Sequence, residues 1–234
     1  MNFRKTRNYE AMSKAAAEWI AAEVKRKADS LICLATGETP TRTYELLAER
    51  AKRTPKMFSR IRALKLDEWH GMAAGEMGTC EEYLQRLIVR PWRITPRRYG
   101  GFVSDSKRPE RECARVQNWL GRNGPIDLCV LGLGVNGHLG LNEPGEALSA
   151  FAHVAKLAAS TRNHGMLKQR TVKPTRGLTV GMAEILQSRK ILLLVSGARK
   201  QKALRRLMRG EITTQFPASL LWMHPDATIL HSVK

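Results

Sequence analysis

Two adjacent carboxylates, Asp67 and Glu68, follow a short apolar stretch of the chain. If that stretch is a β-strand, its carboxyl end lies where open α/β sheets bind their ligands, and a carboxylate there could serve as a proton-transfer base. Adjacent residues of a strand point to opposite faces, so we expect at most one of the two to line a site. A solvated acidic turn explains the same residues about equally well.

An imidazole and a carboxylate, His138 and Glu143, lie in the glycine-rich segment 131–144. Its glycines match the G-x-G-x-x-G spacing of dinucleotide-binding loops at Gly132, Gly134 and Gly137. Such a loop must open a long helix, whereas this segment runs into Pro144-Gly145, so we expect no bound dinucleotide. A lone histidine is more often structural than catalytic, but one in a strand-end loop beside an amide and an acid is a candidate for acid/base chemistry.

A third segment, residues 36–41, places a glycine, hydroxyl groups and the predicted start of a helix directly after an apolar run. Free backbone N–H groups at a helix N-terminus suit a phosphate. A plain strand-to-helix turn, capped by Thr39 or Thr41, explains the same residues and is the commoner case.

The hydrophobic pattern predicts elements that bring these segments together. Short runs that are apolar on both faces are typical of central strands in a parallel sheet, and apolar residues three and four apart are typical of helices packed on it. Strands are predicted at 31–35, 63–66, 126–131, 178–180, 191–195 and 227–230. Helices are predicted over 8–27, 41–52 and 200–209. Three more are predicted by one boundary each: one begins at Thr79, with Glu82 completing a capping box, one begins at Pro109, and a short one ends at Gln187. The alternation predicts one α/β domain over residues 1–234, with a mainly parallel sheet covered by helices on both faces.

The composition is strongly basic, with 40 lysines and arginines against 21 aspartates and glutamates, and 43% of the residues are hydrophobic. That apolar fraction excludes disorder as the main state. The net charge of +19 and the cations of segment 199–209 raise the possibility of nucleic-acid binding. On a helix these cations spread around more than one face, and no aromatic residue between them could stack on bases. We therefore expect no nucleic-acid partner, but a solvated basic surface that attracts anionic sugars.

Targeting and metal-binding patterns are weak. No apolar segment follows the positive N-terminus, and the longest apolar run, 191–195, is far shorter than the roughly 20 residues of a membrane helix. The four cysteines form no C-x-x-C pair, and the six histidines show no metal-ligand spacing. We expect a cytoplasmic protein with reduced cysteines, no membrane partner and no metal.

Three motifs occur in order: T-G-x-T-P at 36–40, L-D-E-W at 66–69 and G-L-G-x-N-G-H-L-G-L-N-E-P at 132–144. Together they resemble the glucosamine-6-phosphate deaminase/isomerase family, and most closely its galactosamine-6-phosphate branch. The resemblance covers nearly the whole chain, since segments 78–81, 178–181 and 217–219 are also similar to that branch.

The family converts a 2-amino-2-deoxyhexose 6-phosphate into a ketose 6-phosphate and ammonia, without a cofactor, on a single Rossmann-like three-layer domain. The resemblance implies that Asp67 takes the C2 proton and returns it at C1. It implies that His138 opens the pyranose ring, assisted by Glu143. It also implies that the phosphate is held by the backbone amides of Gly37, Glu38 and Thr39 and by the side chains of Arg162 and Lys200.

The chain departs from many members of that family at Asn136, where they carry aspartate two residues before the catalytic histidine. Asparagine also occurs in the galactosamine branch, and it can orient an imidazole without stabilising its cation as a carboxylate does. Larger members use a C-terminal extension for hexamer contacts and an allosteric site. This sequence ends at Lys234 without one, so we expect a monomer or a small homo-oligomer without that allostery.

Two alternative functions stay open at this stage. A 6-phosphogluconolactonase shares the fold and the glycine-histidine loop, although the motifs at 67–69 and 142–144 favour the deaminase. A sugar-phosphate-sensing module of a transcription regulator also resembles this fold, but no helix-turn-helix segment precedes the first strand. The motifs do not decide which hexosamine epimer is the substrate.

Overall fold

The computed structural model describes residues 1–233. Its strands, in chain order, are β1 (Asn2–Lys5), β2 (Leu31–Leu34), β3 (Arg62–Lys65), β4 (Asp67–Trp69), β5 (Tyr99–Gly100), β6 (Leu128–Gly132), β7 (His153–Lys156), β8 (Arg176–Thr179), β9 (Ile191–Val195) and β10 (Ala227–His231). Its α-helices are α1 (Tyr9–Arg26), α2 (Glu38–Arg53), α3 (Cys80–Leu84), α4 (Pro109–Asn123), α5 (Ala159–Arg162), α6 (Met182–Leu186) and α7 (Gln201–Met208).

Seven strands form a parallel sheet in the order β1-β10-β9-β6-β2-β3-β5. Alternate residues of β2 enter two different cores, because successive side chains of a strand point to opposite faces. Leu31 and Cys33 pack with α4 and α7, whereas Ile32 and Leu34 pack with α1 and α2. The predicted sheet with helices on both faces is thus confirmed. Within residues 1–233, no helix is both long and apolar enough to cross a membrane.

The chain leaves β2 in one direction to β3 and later returns on the other side of β2 as β6. Such a reversal opens a crevice beyond the carboxyl ends of the two flanking strands. The segment after β2 and the glycine-rich segment after β6 both begin at this crevice. The topology therefore brings together the chemical groups that the sequence singled out.

One helix start and one half of a capping box differ from the sequence prediction. α2 begins at Glu38 rather than Thr41, because Gly37 turns the chain at a φ of 108° and Pro40 is tolerated in a first helical turn. At α3, the Thr79 hydroxyl accepts from the Glu82 N–H as expected. The Glu82 carboxylate instead accepts from Arg86, so the reciprocal half of the predicted capping box is not formed.

The segment predicted as strand 178–180 belongs to a second sheet, not to the parallel one. β8 lies between β4 and β7 in this antiparallel sheet, with Asp67 and His153 both opposite Thr179. The chain thus enters β4 directly after β3, separated only by Leu66. This change of sheet places Asp67 at the edge of the crevice.

Candidate active site

A cavity of about 340 Å³ lies at the crevice between β2, β3 and β6. Its wall is built by the segments that follow β2 and β6, by the start of β4, by residues around α5, and by Arg199 and Lys200 after β9. Of the nine residues singled out for a site, six line it: Gly37, Glu38, Thr39, Asp67, His138 and Lys200.

Asp67 is the carboxylate on the cavity floor, whereas Glu68 points away and is fully buried. The expectation that only one of the two lines a site is confirmed, and the alternative of a solvated acidic turn is wrong, since Asp67 is only 8% exposed. Burial and the Glu68 charge raise the pKa of Asp67 to about 7, against smaller lowering effects of Cys80 and Lys65. A carboxyl group with such a pKa can take and return a proton near neutral pH.

The raised pKa of Asp67 has a consequence for stability. Because the pKa of Asp67 rises on folding, the folded state binds its proton more tightly than the unfolded state does. The resulting contribution to the free energy of unfolding is fully present below the unfolded pKa of 3.8 and is lost as the pH rises through about 7. We therefore expect Asp67→Asn to increase the free energy of unfolding at about pH 8 by up to roughly 4 kcal/mol, with a gain that shrinks toward pH 4. Urea unfolding at both pH values measures this, and an equal or lower stability of the variant at the higher pH would contradict it.

His138 lies in the loop that follows β6, with its ring stacked against bare backbone. A Cβ atom at Gly134 would lie 2.5 Å from the His138 ring, and one at Gly137, whose φ is 93°, would collide with Phe216. The glycines at 134 and 137 therefore leave the space that the His138 ring and Phe216 occupy. This packing explains the glycine spacing without a bound dinucleotide. His138 Nδ1 lies 3.5 Å from Glu143 Oε2 and 3.3 Å from the Thr161 hydroxyl. With these oxygens as acceptors, Nδ1 carries the proton and Nε2 is left to exchange protons with a ligand.

Glu143 and Asn136 lie behind the imidazole and do not line the cavity. Burial alone would raise the pKa of Glu143, but the hydrogen bond and charge of His138 outweigh it and bring the pKa to about 2. Asn136 donates to Glu143 Oε2 over 2.8 Å and accepts from the His138 backbone N–H over 3.2 Å. The Asn136 amide thus orients both the loop and the Glu143 carboxylate. An aspartate at position 136 would instead place a second negative charge next to Glu143.

The N-terminus of α2 forms another part of the cavity wall. No side chain caps this helix, so the alternative of a turn capped by Thr39 or Thr41 is wrong. Instead, the Thr41 and Tyr83 hydroxyls both donate to the Gly37 carbonyl, over 2.8 and 3.1 Å. Because no side chain caps α2, its first backbone N–H groups remain available to an anion, which the helix dipole also favours.

Lys200 supplies a cation to the cavity wall, but Arg162 does not line the cavity. Burial and the nearby Arg199 lower the pKa of Lys200 to about 8, and Glu38 opposes part of that shift. Arg162 is exposed on α5, although its neighbours Thr161 and Asn163 are lining residues. A role for Arg162 therefore rests on the sequence resemblance alone.

Sequence reasoning missed several lining residues, of which His164 is the most informative. Its ring lies 3.1 Å from where a Gly37 Cβ would be, and its Nδ1 accepts from the Met166 N–H. Burial and the charge of Lys200 lower the pKa of His164 to about 4, so it is neutral at physiological pH. An isolated histidine in an irregular segment carries no spacing signal that would have indicated this position. No group of three or more potential metal ligands occurs among residues 1–233.

Comparison with known proteins matches residues 5–230 to the family described as glucosamine-6-phosphate isomerases/6-phosphogluconolactonase. An Escherichia coli (strain K12) protein named "Putative deaminase AgaI" is 44% identical over 219 residues, which span 94% of this chain and 87% of that protein.

Two solved structures share the fold. The structure described as a monomeric glucosamine-6-phosphate deaminase, a missing link of the NagB superfamily, has a TM-score of 0.94 and 33% identity, covering 99% of this chain and 97% of that one. The 6-phosphogluconolactonase of Trypanosoma brucei has a TM-score of 0.75 at 18% identity, covering 98% and 95%, which is a likeness of fold alone. From the family match over nearly its whole length and these similarities, the chain belongs to the glucosamine-6-phosphate isomerase/6-phosphogluconolactonase family.

Proposed function

We propose that this protein is an amino-sugar phosphate isomerase that converts galactosamine 6-phosphate, or its glucosamine epimer, into a ketose 6-phosphate and ammonia. The observation that carries the proposal is one cavity with two separate proton-handling groups and a cationic end. Asp67 is a carboxyl group with a pKa of about 7, and His138 is an imidazole backed by Glu143. The 33% and 44% identities to proteins named as deaminases support the same class of reaction.

The first step opens the sugar ring. His138 Nε2 accepts the proton of the C1 hydroxyl and delivers it to the ring oxygen, so that the C1–O5 bond breaks and C1 becomes an aldehyde. The imidazolium that forms transiently is stabilised by the Glu143 carboxylate, which stays ionised because its pKa is about 2.

The second step moves a proton from C2 to C1. The C2 proton becomes acidic only next to the open-chain aldehyde, and Asp67 removes it to give an enolate that carries the amine at C2. Asp67 returns the proton to C1 and a proton of the amine passes to O1, which leaves an imine at C2. Water adds to that imine and ammonia leaves, so one water is consumed for each ketose formed.

The phosphate end supplies orientation. The backbone N–H groups at Gly37, Glu38 and Thr39 and the Lys200 ammonium group together hold the phosphate at the distant end of the sugar. Binding energy at this end keeps C2 against Asp67, which is how a remote group accelerates a proton transfer.

A panel of substrates tests the function. The purified protein is incubated with galactosamine 6-phosphate, glucosamine 6-phosphate and 6-phosphogluconolactone, without added metal or nucleotide, and ammonia and lactone hydrolysis are measured. We expect ammonia from galactosamine 6-phosphate or its glucosamine epimer, and the ratio of the two kcat/KM values identifies the preferred epimer. Lactone hydrolysis with no ammonia from either amino sugar would overturn the proposal.

Lys200 makes phosphate binding depend on pH. Because its pKa is about 8, the side chain is a cation below that pH and loses its charge above it. We expect inorganic phosphate to bind more weakly as the pH rises through 8, and Lys200→Ala to lower the affinity roughly tenfold and flatten this dependence. Calorimetric titration measures both effects. Lys202→Ala, an exposed lysine of α7, is the matched control, and equal losses in the two variants would exclude a specific role for Lys200.

We further propose a monomer or a small homo-oligomer, supported by the similarity to a deaminase that is itself monomeric. Rates that depend hyperbolically on substrate concentration are the expected result. Light scattering that shows a hexamer, together with sigmoidal rates, would contradict this assignment.

A further inference from the structure

Three charged side chains next to Asp67 have no part in the proposed reaction. Lys65 Nζ lies 2.8 Å from Glu68 Oε2 and 2.7 Å from Glu81 Oε2. The Lys65 and Glu68 side chains are 1% and 0% exposed, and the Tyr99 hydroxyl donates to the same Glu81 oxygen over 3.0 Å. We name these three residues, Lys65, Glu68 and Glu81, the charge cluster.

Glu68 also ties β4 to the start of α3. Its Oε1 accepts from the backbone N–H groups of Trp69 and Cys80, both over 2.9 Å, and its Oε2 accepts from the Glu81 N–H over 2.8 Å. Cys80, in the first turn of α3, lies with its Sγ 3.6 Å from Asp67 Oδ1 and donates to it. The orientation of the Asp67 carboxylate therefore depends on where Glu68 holds α3.

Stability alone does not account for this arrangement. Burial of an ion pair carries a large desolvation cost, and apolar replacements of similar volume are often neutral or stabilising. Lys65 stands at the end of a strand whose preceding residues, Ala63 and Leu64, are buried and apolar, so an apolar side chain would fit the local pattern. The cation is nevertheless present, and it is directed to Glu68, whose charge acts on Asp67, and to Glu81.

We propose that Lys65, Glu68 and Glu81 are positioning residues that fix the Asp67 carboxylate in the cavity and set how readily it ionises. This proposal rests on the proposed role of Asp67 as the base. The cluster holds one cation and two carboxylates, so it presents a net negative charge beside Asp67. In a buried site that charge is only weakly screened and opposes the ionisation of a further carboxyl group.

The other titratable groups packed against Asp67 are neutral. Burial raises the pKa values of Cys80 on α3, Cys33 on β2 and Tyr44 on α2, each of which is fully buried. His138 and Lys200 also line the cavity. After burial itself, the Glu68 charge is the largest influence that raises the pKa of Asp67, and Lys65 lowers it.

Two substitutions of opposite sign test the proposal. In each variant, the ionisation of Asp67 is followed by NMR of its carboxyl carbon, without substrate. Removal of the cation in Lys65→Met should move the Asp67 midpoint to higher pH by about one unit. Removal of an anion in Glu81→Gln should move it to lower pH by a smaller amount, because the Glu81 carboxylate is partly exposed and acts on Asp67 through the cluster. Glu82→Gln is the matched control, because Glu82 is on the same helix turn but pairs with Arg86, and it should leave the midpoint unchanged.

Opposite shifts cannot come from loosened packing, which admits water and lowers the midpoint in every variant. If Lys65→Met does not fold, the comparison of Glu81→Gln with Glu82→Gln decides the matter, since Glu81 is partly exposed. Ammonia release is measured on the same samples. Shifts without ammonia release would refute the proposed function and leave this inference intact, whereas ammonia release with an unchanged midpoint, or with shifts in the same direction, would overturn the inference.

Discussion

Asp67→Asn should lower turnover of the amino-sugar phosphate by about a thousandfold or more, with substrate binding retained to within roughly twofold. The amide has the shape of the carboxyl group but cannot accept the C2 proton. The phosphate end of the cavity is unaffected, because the α2 N-terminus and Lys200 lie on other segments. Steady-state kinetics measure kcat, and titration with inorganic phosphate measures binding at the distant end.

The matched control for this substitution is Asp29→Asn, which makes the same chemical change at an exposed position outside the cavity. It should leave both kcat and KM unchanged. Near-normal turnover in Asp67→Asn would remove Asp67 from the role of base.

His138→Gln should lower turnover by roughly a hundredfold or more and also change which step limits the rate. Without the imidazole, the ring opens slowly, so proton removal from C2 ceases to be limiting. A substrate with deuterium at C2 should then react at nearly the same rate as the ordinary substrate, whereas any isotope effect in the unsubstituted enzyme is larger.

His153→Gln serves as the control, because His153 lies outside the cavity and its ring contacts the Phe151 carbonyl. An isotope effect that grows in His138→Gln would contradict the assignment, since it would mean that the imidazole takes part in breaking the C2–H bond.

The strands that could be predicted from the sequence are those whose residues are buried on both faces. Continuous apolar runs at β2, β6 and β9 give a signal that needs no knowledge of their neighbours. β1, β4, β5 and β7 contain no such run, because they are short and lie at sheet edges or in the second sheet. Their existence depends on partners distant in sequence, as when Asp67 pairs opposite Thr179.

The site residues that could be predicted from the sequence are those of a chemically suitable type that directly follow a predicted strand. Asp67, His138, Lys200 and the loop at Gly37 all follow strands of the parallel sheet, whose carboxyl ends meet at one edge. Contacts between side chains from different segments were not predictable. The hydrogen bond from Asn136 to Glu143 and the contact of Cys80 with Asp67 exist only once the loop and α3 are folded.

One measurement tests the central claim, that this cavity moves a proton from C2 to C1 and releases the amine as ammonia. Galactosamine 6-phosphate that carries deuterium at C2 is incubated with the enzyme, and the ketose 6-phosphate and ammonia are quantified together by NMR and a coupled assay. We predict one ammonia for each ketose formed, some of the deuterium at C1 of the product, and neither product with Asp67→Asn. Because a base exposed to water exchanges part of its label, transfer to C1 is expected to be incomplete. Galactosamine 6-phosphate recovered with its deuterium still at C2, and no ammonia while the lactone is hydrolysed, would contradict the account.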